Sequence, residues 1–197
     1  MKKNIGELCE IQLGMQFRGR IEPETDGTHA VIMIRDIGPD RRFLAVDGHE
    51  RALVLPPSPP ERYLVHEGDV LFLARGQVNY AVPITTKFER PTIAPSFFFI
   101  LRPREDATTV LPEYLAWAIN RPEAQEYLQQ KARRGSHMPL VGKADVQTLP
   151  VPVPPAAVQE HVVALDRLAR QERELVNRVA DLNLQRIRAA CERAVNR

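Results

Sequence analysis

The sequence predicts an α+β protein with three parts. A mixed, β-rich domain occupies residues 1–149, a Pro-rich hinge residues 150–155, and one long helix residues 156–197, able to form a coiled-coil-like pair. Three observations predict this. Short β-branched and aromatic runs bounded by glycine and proline fill the first hundred residues. From Leu111 the apolar period lengthens to that of helices. From Ala156 to Arg197 neither glycine nor proline interrupts the chain.

The bulk properties set the class. With 197 residues, 44% hydrophobic and 26% charged, the chain has enough material for one domain and an appendage. Its 27 basic residues nearly cancel 25 acidic ones, so any basic surface must come from local clustering. Cys9 and Cys191 form no CxxC or Cys/His cluster and read as small apolar packing residues, with no metal and no cofactor implied. Two lysines near the N-terminus precede no apolar run, and no uncharged segment reaches membrane-spanning length, so a cytoplasmic protein is expected.

In chain order, the apolar and acidic run Ile5–Leu13 leads into Gly14-Met15-Gln16-Phe17-Arg18-Gly19-Arg20. Glycines at both ends make this a loop, which either presents Gln16, Arg18 and Arg20 or is a solvated turn. His29–Arg35 reads as a buried strand, Asp36–Asp40 as a turn, and Phe43–Val46 and Arg51–Leu55 as short strands. Pro56–Pro60 is a rigid connector that a sheet excludes. Glu67-Gly68-Asp69 turns the chain into the strand Val70–Ala74. A glycine-broken loop follows with Arg75, Gln77 and Asn79, residue types that pair with guanine and adenine edges. Val82–Thr86 and Thr92–Arg102 supply further strands and much of the core.

Pro112–Asn120 is a helix with proline in its first turn, and Pro122 opens another through Lys131. Next comes the densest basic stretch. Lys131, Arg133, Arg134, Ser136, His137 and Lys143 fall here with no acid before Asp145, which makes it the natural place for phosphate contacts. Leu149–Pro155 is an extended edge segment or a polyproline hinge.

The last helix carries a seam. Leu168, Leu175, Leu182 and Ala189 recur every seven residues, with Leu165 and Val179 at the alternate heptad positions and Glu172 and Arg186 interrupting them. Asp166 with Arg170 and Glu174 with Arg178 are forward pairs one turn apart on the outer face. At about 1.5 Å per residue the helix runs about 60 Å, more than a domain of this size covers, so a partner helix is expected along Leu165, Leu168, Leu175, Val179 and Leu182.

Several pieces in this order resemble half of a DNA specificity subunit of a type I restriction-modification system. They are Ile5-Gly6-Glu7 running to Gly14, Glu67-Gly68-Asp69-Val70-Leu71-Phe72 with Gly76, Leu111-Pro112-Glu113-Tyr114-Leu115, Gly135-Ser136, and Leu149–Pro155 leading into the helix. Gln159-Glu160 stands where such proteins usually carry Glu-Gln. The resemblance implies that residues 1–149 are a target recognition domain reading one half-site of double-stranded DNA. The helix would act as ruler and as docking surface for the methyltransferase (modification) subunit, with a restriction subunit in the wider complex. Full subunits carry two such domains and two helices, so a chain with one of each is expected to act as a homodimer in phage defence.

Two other classes remain to be weighed. An enzyme is disfavoured. No acid-x-lysine triplet follows Pro39-Asp40, no glycine-rich cofactor loop follows a strand, Glu61 stands where a base methyltransferase places an aromatic after Pro-Pro, and the five histidines have no ligand spacing. The alternative is an adaptor that does not bind DNA, dimerises, and docks proteins through its helix.

Overall fold

The computed structural model describes residues 1–44, 51–76, 78–104, 110–131 and 140–195. The chain divides into two compact units, Met1–Glu160 and His161–Arg197. In chain order the elements are β1 (Lys2–Asn4), α1 (Ile5–Leu8), β2 (Cys9–Leu13), β3 (His29–Val31), β4 (Leu53–Val54), β5 (Val70–Leu73) and β6 (Tyr80–Pro83). They continue with β7 (Thr92–Ile93), β8 (Phe98–Pro103), α2 (Pro112–Asn120), α3 (Pro122–Lys131), α4 (Lys143–Gln147), β9 (Pro150–Pro152) and α5 (Ala156–Val195). The α+β class expected from the sequence is the observed one.

Among the described residues three small sheets build the first unit. The largest is antiparallel in the order β2-β8-β5-β6, a second runs β4-β3-β7 with β3 parallel to β7, and β1 pairs with β9. All four residues of β5 are buried, as an unbroken Val-Leu-Phe-Leu run in an inner strand requires. Leu71, Leu73, Phe98 and Ile100 join Ile32, Val65, Ile84 and Ala94 in one core, and Met15, Val31, Val54, Tyr63 and Ile93 form a second. The outer edge of β6 is closed by a side chain. Asn120 accepts the Ala81 N–H at 2.9 Å and donates to the Ala81 carbonyl at 2.8 Å, occupying backbone groups that an open edge leaves unpaired.

Several strands are shorter than expected, for local reasons. The run from His29 ends at Val31 because the Asp36 carboxylate accepts the Met33 N–H at 2.7 Å and pulls Ile34–Asp36 into a 3₁₀ turn, leaving Ile34 49% exposed. Arg51–Leu55 yields only Leu53–Val54. Thr92–Arg102 breaks into β7 and β8 because the backbone between them bonds elsewhere: Ala94 accepts the Met15 N–H at 2.7 Å and Ser96 donates to the Met15 carbonyl at 2.8 Å. Phe43 makes an isolated bridge to Ile37, and the rest of the strand expected over Phe43–Val46 lies outside the described residues. Of the two readings of Leu149–Pro155, an extended edge segment or a polyproline hinge, Pro150–Pro152 takes the first: it pairs with β1, and Val151 and Val153 are buried.

The turn Glu67-Gly68-Asp69 is a lock. Gly68 has φ +92°, and the buried Asp69 carboxylate accepts the His66 N–H at 2.8 Å and two bonds of 2.8 Å from Arg102. That bonding to Asp69 raises the Arg102 pKa above the ordinary guanidinium value. Arg102 also donates to the Leu64 carbonyl at 3.0 Å, joining the turn to β8. Of the cysteines, Cys9 is buried, with its thiol pKa pushed up to about 12 by desolvation. Cys191 is exposed, which corrects the packing role expected of it.

The second unit is the body of α5. Leu165, Leu168, Leu175, Val179 and Leu182 are each more than half exposed. Asp166 and Arg170 form the expected pair at 2.6 Å, whereas Glu174 and Arg178 do not pair among the described residues.

Candidate nucleic-acid interface

Strands β2 and β5 both run antiparallel to β8 and are therefore parallel to each other, so the loops that leave them emerge at the same end of the sheet. Leu13 pairs with Phe99 and Leu73 with Phe98 at that end. The first loop is rooted by Gly14, where an added Cβ would meet the Pro95 and Ala94 carbonyl oxygens at 2.2 and 2.5 Å. No other residue tolerates that approach. Beyond it Gln16, Arg18 and Arg20 are exposed, with Gly19 at φ +93° turning the chain between the two arginines. They line a groove of about 760 Å³ together with Phe17, Glu22 and Glu24. The two acids temper its positive charge.

The second loop follows β5. Arg75 is exposed and forms a backbone bridge with Leu140, and the Val141 N–H donates to the Ala74 carbonyl at 3.0 Å. Two residues later Lys143 opens α4, exposed. The loops bearing Gln16, Arg18, Arg20 and Arg75 are thus rooted at one end of the sheet, and Leu140 and Val141, bonded to the second loop, lead on to Lys143. Lys131 is exposed at the end of α3, its Nζ 5.8 Å from the Tyr127 ring centroid. Gln77, Arg133, Arg134, Ser136 and His137 lie outside the described residues.

Asn79 is corrected. It is 8% exposed and its Nδ2 donates to the Leu73 carbonyl at 3.0 Å, closing the loop across its base. A buried amide spent on the backbone is not held out for a base edge. Arg42 pairs with Asp40 at 3.5 Å. Arg41 behaves differently: at φ 61° it lies 5.8 Å from the Tyr80 ring centroid, at the start of β6 beside the Arg75 loop. Sequence reasoning also missed Arg51, which lies 4.8 Å from the Phe43 ring and 5.6 Å from the Phe88 ring. The aromatic partners stand 39 residues from Arg41, and 8 and 37 residues from Arg51, at spacings that carry no periodic signal. Among the described residues no group of three or more His, Cys, Asp or Glu side chains is placed to hold a metal ion, and no helix is long and apolar enough to cross a membrane.

No family model and no curated protein matches the chain. Solved structures do. A chain from a structure concerned with complex assembly and conformational transition of the type I R-M system matches with TM-score 0.63 and 18% identity over 91% of this chain and 40% of its own length. The HsdS subunit from Thermoanaerobacter tengcongensis matches with TM-score 0.59 and 18% identity, over 91% and 39%. The S subunit of a type I restriction-modification system from M. genitalium matches with TM-score 0.54 and 12% identity, over 90% and 40%. The chain therefore spans about 40% of the length of the structures it matches. Its head and long helix together have the fold of a corresponding portion of type I specificity subunits.

Proposed function

We propose that this chain is a half-size, non-catalytic DNA specificity subunit of a type I restriction-modification system. Its head is a target recognition domain for one half-site, its helix pairs with that of a second copy, and the pair directs methyltransferase and restriction subunits to DNA. The observation that carries the reading is the fold shared with S subunits over 91% of the chain. It is supported by the loops bearing Arg18, Arg20 and Arg75, which leave one end of the sheet. Arg75 and Gln77 are assigned to base edges, and Arg18, Arg20, Lys131, Arg133, Arg134 and Lys143 to phosphates, with Gln16, Ser136 and His137 beside them. Asn79 is assigned to bracing the loop.

Binding selection from a random duplex library, with the methyltransferase subunit present, tests this directly, followed by mobility shifts at several salt concentrations. A phosphate-reading protein loses affinity steeply as salt rises. Arg18→Ala or Arg20→Ala is expected to weaken all duplexes alike and flatten that dependence. Arg75→Ala is expected to cost discrimination, about 1–3 kcal/mol for a lost paired contact. The adaptor reading draws on Glu22 and Glu24 beside the loop arginines. Absence of duplex binding at low salt, with and without the methyltransferase, would establish it instead.

A further inference from the structure

The turn between Ile37 and Phe43 holds Arg41 at φ 61°, the only residue other than glycine with a positive φ among the described residues. A Cβ is disfavoured in that conformation, and glycine is the residue the backbone alone would select. The turn is nonetheless tightly closed. Gly38 donates to the Arg42 carbonyl at 2.8 Å, Arg41 to the Gly38 carbonyl at 2.9 Å, and Leu44 to the Asp36 carbonyl at 2.8 Å. Ile37 and Phe43 bridge each other at its base and pack on the core that contains Leu73 and Phe98. Phe43 is gripped further by the Phe88 ring, edge-on with centroids 5.5 Å apart, and by the Arg51 guanidinium at 4.8 Å.

The side chain this turn presents stands beside the Arg75 loop. Tyr80 opens β6 and pairs with Leu73, the last residue of β5 before that loop departs. The Arg41 guanidinium lies over the Tyr80 ring, 5.8 Å from its centroid. A guanidinium over a ring is held in place while its N–H donors stay available for acceptors elsewhere. Among the described residues no carboxylate takes those donors, since Asp40 pairs with the neighbouring Arg42. Disfavoured backbone, a closed turn and a stacked guanidinium together fix one cation in one place. A phosphate contact tolerates a mobile side chain, whereas a base edge is read only from fixed geometry. We infer that Arg41 is a further base-reading residue of the head, offering paired N–H donors to the O6 and N7 acceptors of a guanine near the base assigned to Arg75. The inference rests on the recognition role proposed above and adds a determinant to it. In the sheet order β2-β8-β5-β6, Arg41 lies on the far side of β5 from the loop that carries Arg18 and Arg20.

Arg41→Gly removes the side chain and supplies the residue the backbone favours, so the full chain is expected to unfold in urea at about the same concentration as the unaltered one. With the methyltransferase subunit present, its affinity for the selected duplex is expected to fall about tenfold or more, with a much smaller loss on random duplex. Binding selection with this variant is expected to return the same half-site with one G·C pair made degenerate. Arg41→Lys keeps the charge without the planar fork, and is expected to restore binding to random duplex fully and to the selected duplex only in part. Equal losses on both duplexes would make Arg41 a phosphate contact, and unchanged affinity for both would make its stack on Tyr80 a packing device. Either result overturns the inference and leaves the recognition role standing. A chain that selects no duplex, with and without the methyltransferase, overturns both.

Discussion

At the scale of single residues, buried polar groups hold the head together where hydrophobic pattern is silent. Gln159 has no exposed surface; its Oε1 accepts the Leu111 N–H at 2.9 Å and its Nε2 donates to the Pro154 carbonyl at 2.9 Å. One amide thus joins the start of α2 to the proline run that precedes α5. Gln159→Leu keeps the volume and strands both backbone groups, and is expected to cost about 1–3 kcal/mol for each, read by urea unfolding of the full chain. A loss well below 1 kcal/mol in total would mean that water replaces the amide. From sequence Gln159 was legible only as an inverted Gln-Glu pair, because a hydrogen bond across 48 residues leaves no periodic trace. Asp69 was legible as part of a turn, but its arginine, 33 residues on, was not. The same limit explains Asn79, whose residue type suits a base edge, since loop position carries no sign of whether an amide points outward or back to Leu73.

At the scale of elements, legibility followed locality. The long helix runs unbroken from Ala156 to Val195, as expected from forty residues without glycine or proline. The helices opened by Pro112 and Pro122 also start where proline in a first turn places them. The strands were legible in kind and not in extent, since their ends depend on backbone partners distant in the chain, such as Met15 taking the bonds between β7 and β8. For α5 the consequence is an exposed stripe that stays apolar over several turns, with Leu168 61%, Leu175 64% and Leu182 54% exposed. Changing Leu175 and Leu182 together to Asp places unpaired charges in any seam they form. Sedimentation velocity at micromolar concentration is expected to show a dimer for the unaltered chain and a monomer for the double variant. Far-ultraviolet dichroism of the head should be retained. A double variant that still sediments as a dimer would put the interface on another surface.

At the scale of the whole molecule, two identical chains related by a two-fold axis meet DNA as two identical half-sites in opposite orientation, so the proposed assembly reads an interrupted palindrome. Paired antiparallel over their full length, as the resemblance implies, two helices of about 60 Å would keep the two Gln159 anchors no more than about 60 Å apart. That span makes the gap a matter of helix length, and phase decides which length changes DNA can follow. An insert of eleven helical residues between His161 and Val162 returns the helix to nearly the same face, since eleven residues make close to three turns. It leaves the seam intact and separates the anchors by about 33 Å more, which is about 10 base pairs at about 3.4 Å each and close to one turn of duplex. Binding selection with this variant is expected to return the same half-sites with the gap lengthened by about 10 pairs. A seven-residue insert adds about 21 Å, or about 6 pairs, which carries the second half-site to the opposite side of the duplex, and is expected to lose high-affinity binding while still dimerising. If the eleven-residue variant dimerises and selects the original gap, the helix does not measure the site.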